Sequence, residues 1–310
     1  MILSVSRRTD IPAFYSDWFF KRLKAGYVLV RNPVNFQQVS KVILSPEVID
    51  CIVFWTKNPV PILDKLELLA EYDFYFQITI TPYNEKIEAN VLAKPAVIEA
   101  FKQLSAIIGK ERTIWRYDPI ILTDELDFEY HSRKFEAIAN ALQGRTDRCI
   151  ISFLDLYKKA ERNMSNIPLK PINVQLMLEI GGRFKNIASK YGLIIQTCSE
   201  LVDLSSVGIE HGKCIDDCLI ARIIGQELRL DKDKNQRTMC GCAASVDIGA
   251  YNTCKHGCLY CYANFSANAV KNNLLKHDPN SPMLSGNLEP GDKVTERKMK
   301  SCRTKQLGLF

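Results

Sequence analysis

The sequence predicts an α/β fold, a partial or full parallel (β/α) barrel, on three observations. Short apolar runs rich in β-branched and aromatic residues recur along the chain. Helical stretches separate them. Most of the runs end in a polar, chemically varied tip. The runs are Met1–Val5, Cys51–Trp55, Phe74–Ile80, Arg112–Tyr117, Cys149–Leu156, Leu193–Thr197 and Ala244–Tyr251.

The helices follow from punctuation. Ser16 can cap a helix that stops near Gly26. Pro95 can open one that carries Val97, Phe101, Leu104 and Ile108 on one face and ends at Gly109. A third ends near Gly144. A longer one starts near Asn173, contains Gly181 and Gly182, and ends at Gly192. Strands separated by such helices pair in parallel, so their C-terminal tips share one edge. Those tips read SRRTD, FWTKNP, QITITPYN, WRYDPI, FLDLY and QTCSE. Turns and caps explain any one of them. Six in succession, carrying Arg, Lys, Asp and Thr, point to a shared polar pocket.

The 310 residues, 46% hydrophobic, suffice for one large barrel. We expect barrel elements over 1–200, a cysteine-rich segment over 201–243, a strand, loop and helix over 244–275, and a polar tail over 276–310. No apolar run reaches membrane-spanning length and no leader pattern opens the chain, so a cytoplasmic protein without membrane contact is expected. The net charge of +6 permits an anionic substrate or nucleic acid. No basic stripe with interleaved aromatics supports a nucleic-acid partner.

Eleven cysteines in a reduced compartment suggest metal ligands more than disulfides. Cys254, Cys258 and Cys261 stand at C-x3-C-x2-C spacing. Thiolates are the usual ligands of iron–sulfur clusters, whereas structural zinc sites fill four positions and favour C-x2-C pairs. The triplet is therefore expected to hold an iron–sulfur cluster with one iron open. A second group is expected at Cys198, Cys214, Cys240 and Cys242, with Cys218 in reserve. It suits an auxiliary iron–sulfur cluster or a structural zinc, the cluster being favoured. Cys51 and Cys149 open apolar strands and read as core residues.

The motif C-x3-C-x2-C resembles the signature of the radical S-adenosylmethionine (SAM) superfamily, and its continuation YCYAN is similar to the spore photoproduct lyase branch. The resemblance implies a [4Fe–4S] cluster whose open iron binds SAM. It also implies reductive cleavage of SAM to a 5′-deoxyadenosyl radical, and an electron donor such as flavodoxin or ferredoxin. FWTKNP, QITITP and RYDPII resemble later strand ends of that branch in order, which implies a circular permutation with the cluster-bearing βα unit moved to the C-terminal part. Lys57, Thr79, Thr81, Arg116 and Tyr262 are the cofactor-binding candidates under this resemblance. Lys57 would meet the SAM carboxylate; Tyr260 and Tyr262, by their place on either side of a cluster ligand, would shield the cluster from water. A glycine-rich GGE element, common in the superfamily, is replaced by SRRTDIP. The whole chain also resembles an uncharacterised family of unknown function sometimes labelled DNA repair photolyase.

For single residues, plainer readings stand beside these. Lys57 can be solvated, Thr79 and Thr81 fit any strand, and Arg116 with Asp118 can be a supporting salt bridge. Of Arg7 and Arg8, strand alternation would send at most one into a pocket. The expected function is a radical SAM enzyme of unknown substrate. The alternatives are a non-enzymatic iron–sulfur protein for electron transfer or redox sensing, and a zinc-stabilised nucleic-acid-binding protein.

Overall fold

A computed structural model describes residues 1–155 and 158–304. In chain order the strands are β1 (Ile2–Val5), β2 (Tyr27–Arg31), β3 (Gln38–Ile43), β4 (Cys51–Thr56), β5 (Phe74–Thr79), β6 (Thr113–Ile120), β7 (Arg148–Phe153), β8 (Ile194–Cys198), β9 (Glu210–Gly212), β10 (Ser245–Asp247) and β11 (Lys293–Glu296). The helices are α1 (Ile11–Phe14), α2 (Ser16–Ala25), α3 (Val60–Leu63), α4 (Lys94–Ile108), α5 (Phe128–Ala141), α6 (Lys158–Asn163), α7 (Val174–Lys190), α8 (Asp217–Ile224) and α9 (Ala267–Leu274).

Eight strands form one parallel sheet in the order β10-β1-β4-β5-β6-β7-β8-β9. Of the partial and full barrels that the sequence leaves open, this linear order gives a sheet with ends, at β10 and β9. The strand that feeds the C-x3-C-x2-C loop lies beside the first strand, with Ile2 opposite Ser245 and Ser4 opposite Asp247. A separate sheet of β2, β3 and β11, unforeseen from the sequence, draws its third strand from the polar tail. The tip FLDLY lies partly outside the described residues.

Period-two alternation sends opposite residues of each strand into two cores. On one face Leu3, Ile52, Phe54, Phe76, Trp115 and Ile151 pack against α2, α4, α5 and α7. Phe54 stacks on Phe76 at 4.4 Å, and Phe135 of α5 stacks on Phe184 of α7 at 4.1 Å. On the other face Ile2, Val53, Tyr75, Ile114 and Ile150 are covered by the chain from Cys214 to Ala243. Ala243 N–H binds Ile215 O at 3.0 Å, and Ala244 N–H binds Asp231 O at 2.8 Å. The cysteine-rich segment thus lines the second face of the sheet rather than forming a unit apart from it.

The helix stops match their sequence signals. Gly26 closes α2 in the left-handed conformation, and Asn173 caps α7 through Leu176 N–H. Ser16 is the first residue of α2 rather than its cap. Tyr15 occupies the cap position and makes no side-chain cap bond there. Gly181 serves packing: a Cβ there would press on Leu204 and Ile209 at 3.3–3.4 Å, so its absence lets that segment approach α7 closely.

Candidate metal centre

Parallel strands deliver their C-terminal tips to one edge, and the cysteine loop is fastened there. Asp247 ends β10 and ties it to β1. Its carboxylate accepts from Ser4 Oγ at 2.6 Å, Ser6 Oγ at 2.7 Å, Arg7 N–H at 2.7 Å and Gly249 N–H at 2.9 Å. Gly249 must be glycine, since a Cβ would fall 2.0 Å from Ser6 Oγ.

The loop is clamped from two sides. Tyr15 Oη donates to Thr253 O at 2.5 Å, and His256 Nε2 lies 2.7 Å from Asp10 Oδ2. Asp10 also caps α1 through Ala13 N–H and accepts the Lys57 N–H, so one carboxylate joins the tips of β1 and β4 to the loop. From the tip of β5, Asn90 Nδ2 donates to Lys255 O at 2.8 Å, Leu259 N–H reaches Ile87 O at 3.0 Å, and Glu88 bridges to Cys258. Cys254, Cys258 and Cys261 face one another closely enough for their charges to interact. Burial pushes the Cys258 thiol up to about 12 against the pull of Lys57, and raises Cys254 strongly. Thiols buried in this way become thiolates only where a cation compensates them, a role that a bound metal would fill. Among the described residues the buried His256 Nδ1 has no partner.

Glu88 is the electrostatic centre beneath the loop. It accepts from Lys57 Nζ at 2.8 Å and Thr81 Oγ1 at 2.7 Å, and also from Lys94 and Tyr260. Burial alone would raise its carboxyl, but Lys57 and Lys94 hold it down to about 2. Lys57 and Thr81 are thereby both committed to Glu88. Thr79 ends β5, half-buried. Tyr262 donates to Arg7 O at 2.7 Å. Arg7 and Arg8 both line a cleft of about 410 Å³ with Tyr251 and Asp247. They follow the last residue of β1, so strand alternation does not separate them.

Arg116 is buried on β6. It binds Asp118 through Nε at 3.1 Å, Gln77 Oε1 at 2.8 Å and Cys214 Sγ at 2.9 Å. Cys214 Sγ in turn lies 3.1 Å from Cys198 Sγ, and Cys242 Sγ accepts from Cys214 N–H at 3.3 Å and Ile215 N–H at 3.4 Å. Cys240 and Cys242 are coupled to each other and to Cys214. The structure therefore brings Cys198, Cys214, Cys240 and Cys242 together, and leaves Cys218 exposed on α8. Cys51 and Cys149 are buried core residues.

Sequence reasoning missed Glu88, which lies in an unremarkable polar loop. It also missed Asp247, whose signal was available: an acidic residue inside an otherwise apolar run. No helix among the described residues is long and apolar enough to cross a membrane. Comparison with curated proteins and with solved structures finds no match. Residues 2–263, which include both cysteine groups, match the model of a domain of unknown function, DUF1848, and the chain belongs to that family.

Proposed function

We propose that this protein is a radical SAM enzyme whose [4Fe–4S] cluster is held by Cys254, Cys258 and Cys261. The observation that carries the reading is the anchoring of a C-x3-C-x2-C loop at the C-terminal edge of a parallel sheet, immediately after the strand that pairs with β1. When bound, the cluster supplies the electron that splits SAM into methionine and a 5′-deoxyadenosyl radical. In this reading the chain order is a permutation: the cluster-bearing βα unit, first in the superfamily, is here β10, its loop and α9.

The surrounding residues have definite tasks. Cys254, Cys258 and Cys261 would hold the cluster through their three thiolates, and the cluster would supply an open position for SAM. Asp10 and Glu88 fix the two sides of the loop, so the thiols keep one spacing as the cluster changes charge. Lys57 and Thr81 act through Glu88 as positioning residues. Tyr260 and Tyr262 flank Cys261 and limit the access of water to the cluster, which tunes its potential. Thr79 is left as the candidate for a contact to SAM, since Arg116 is engaged by Asp118, Gln77 and Cys214.

The test is anaerobic reconstitution with iron and sulfide, followed by SAM and a strong reductant. We expect 5′-deoxyadenosine, and its loss in Cys258→Ala. A cluster-loaded wild-type protein that forms no 5′-deoxyadenosine would instead mark an electron-transfer or redox-sensing protein. Undiminished product from Cys258→Ala would remove the assignment of the loop.

A further inference from the structure

We infer that Cys198, Cys214, Cys240 and Cys242 hold a second iron–sulfur cluster, on the sheet face opposite the large helices. The four residues come from distant points of the chain: the tip of β8, the turn after β9, and the segment before β10. That convergence is specific. β10 has only three residues, so Cys240 and Cys242 stand just before a strand that starts late. The segment from Asp231 to Ala244 then lies back across the sheet, held by the bonds of Ala243 and Ala244. All four cysteines are free thiols, and three of them are buried.

Two physical arguments favour a cluster over plain packing or zinc. The first is charge. Burying a guanidinium is costly unless it meets compensating negative charge. Arg116, with only 6% of its surface exposed, donates to Cys214 Sγ as well as to Gln77 and Asp118. Asp118 meets the Nε and Nη2 side, while Nη1 faces Gln77 and Cys214 Sγ, where a neutral thiol is a poor acceptor and a metal-bound thiolate a good one. Backbone N–H groups of Cys214 and Ile215 also point at Cys242 Sγ, and hydrogen bonds of this kind to cluster sulfurs tune potential.

The second argument is spacing. With Zn–S bonds of about 2.3 Å, a tetrahedral zinc needs all its sulfurs within roughly 4 Å of one another. Here the sulfurs form a chain of neighbours, Cys198 to Cys214 to Cys242 to Cys240. Among the described residues, the metal-competent triad whose ligand atoms all lie within 4.8 Å is Asp216, Asp217 and Cys218, and no three of these four cysteines form another. That triad is an acidic helix start already engaged elsewhere: Asp216 caps α8 and binds Arg148, and Asp217 binds Lys213. A two-iron cluster takes its thiolates in two pairs, one pair on each iron, and so accepts a close pair such as Cys198 and Cys214 within a wider set.

The experiment isolates this site from the first. The variant Cys254→Ala/Cys258→Ala/Cys261→Ala is reconstituted anaerobically with ferrous iron and sulfide. Metal content, visible absorption and electron paramagnetic resonance are then recorded. We expect a brown protein retaining about two or about four irons per chain. Adding Cys214→Ser or, as a second and independent ligand change, Cys240→Ser should abolish that iron, and Cys218→Ser should leave it intact. A colourless protein with one zinc per chain overturns the proposal. So does a metal-free protein, or one with a Cys198–Cys214 disulfide detected by mass spectrometry. Failure of the first cluster's chemistry removes 5′-deoxyadenosine formation and leaves this iron count untouched, so the two readings fall separately.

Discussion

Replacing Glu88 by Gln tests the framework under the loop most directly. The change keeps the shape and an acceptor for Thr81 and Tyr260, removes the charge, and sets an amide donor against Lys94 in place of a carboxylate oxygen. Glu88 has no exposed side-chain surface, and its partners Lys57 and Lys94 are 13% and 25% exposed. Two ammonium groups would then converge on a neutral amide with little water to screen them. Removing one partner of a buried ion pair costs about 3–5 kcal/mol, because the other charge stays buried and uncompensated. An unfolding entropy of about 2.1 cal/mol/K per residue gives the chain roughly 0.65 kcal/mol/K, so the loss lowers Tm by about 5–8 °C. Differential scanning calorimetry and urea unfolding read it. The double variant Lys57→Met/Glu88→Gln should recover part of the loss, since one orphaned charge is gone. A Glu88→Gln protein within 1 °C of the wild type would refute the reasoning, and would mean that water or an anion already screens the lysines.

Three further outcomes are expected. His131 is fully buried between Tyr117 Oη at 2.7 Å and Ile121 O at 2.8 Å, and burial lowers its pKa to about 4 from an unfolded value of 6.5. The unfolded chain therefore takes up the proton first, and about 3 kcal/mol of stability present above pH 6.5 is lost as pH falls towards 4. Because burial raises Glu200 to about 7 and opposes that slope, the readout is the difference between the wild type and His131→Phe, which should shrink steadily over this window; a constant difference would contradict the assignment. Gly249→Ala forces its Cβ onto Ser6 Oγ and should destabilise by about 2 kcal/mol or more, measured by chemical denaturation, while Gly182→Ala, with its nearest contact at 3.8 Å, should change little. Phe54→Ala removes a ring stacked on Phe76 in the helix-side core and should cost about 3–5 kcal/mol by the same assay, with smaller values indicating that the site collapses to fill the space.

How much of this was legible depended on where the information lay. All seven strands foreseen from apolar runs appear, because a parallel sheet covered on both faces needs near-continuous apolar runs, and those stand out in the sequence. The short hairpin of β2 and β3 was overlooked: YVLVR and QVSKVI mix polar with apolar residues, and the six-residue turn between them, NPVNFQ, carries no two-residue hairpin signal. The parallel pairing of β10 with β1 was legible from strand–loop order. The gathering of Cys198 with Cys240 and Cys242 was readable only as a condition on the path of the chain, since no local spacing encodes a return across a sheet. Lys57 illustrates the limit. Its position at a strand tip was plain, but its commitment to Glu88 depends on a loop 31 residues later, and nothing in either stretch announces that bond.

The pairing of β1 with β10 also bears on synthesis. The contact joins positions some 243 residues apart, close to the largest separation this sheet contains. Chains grow from the N-terminus at about 5–20 residues per second. At that rate β1 emerges roughly 12–48 seconds, and β9 roughly 2–7 seconds, before β10, so the strands from β1 to β9 can pair while the three-cysteine loop is still unmade. Contacts of such long range also close last, since loop entropy must be paid before they reward it. The loop thus reaches a cradle already set by Asp10 and Glu88. The three thiols spend little time exposed on a nascent chain, and under the proposed reading metal loading would be a late step on nearly finished molecules.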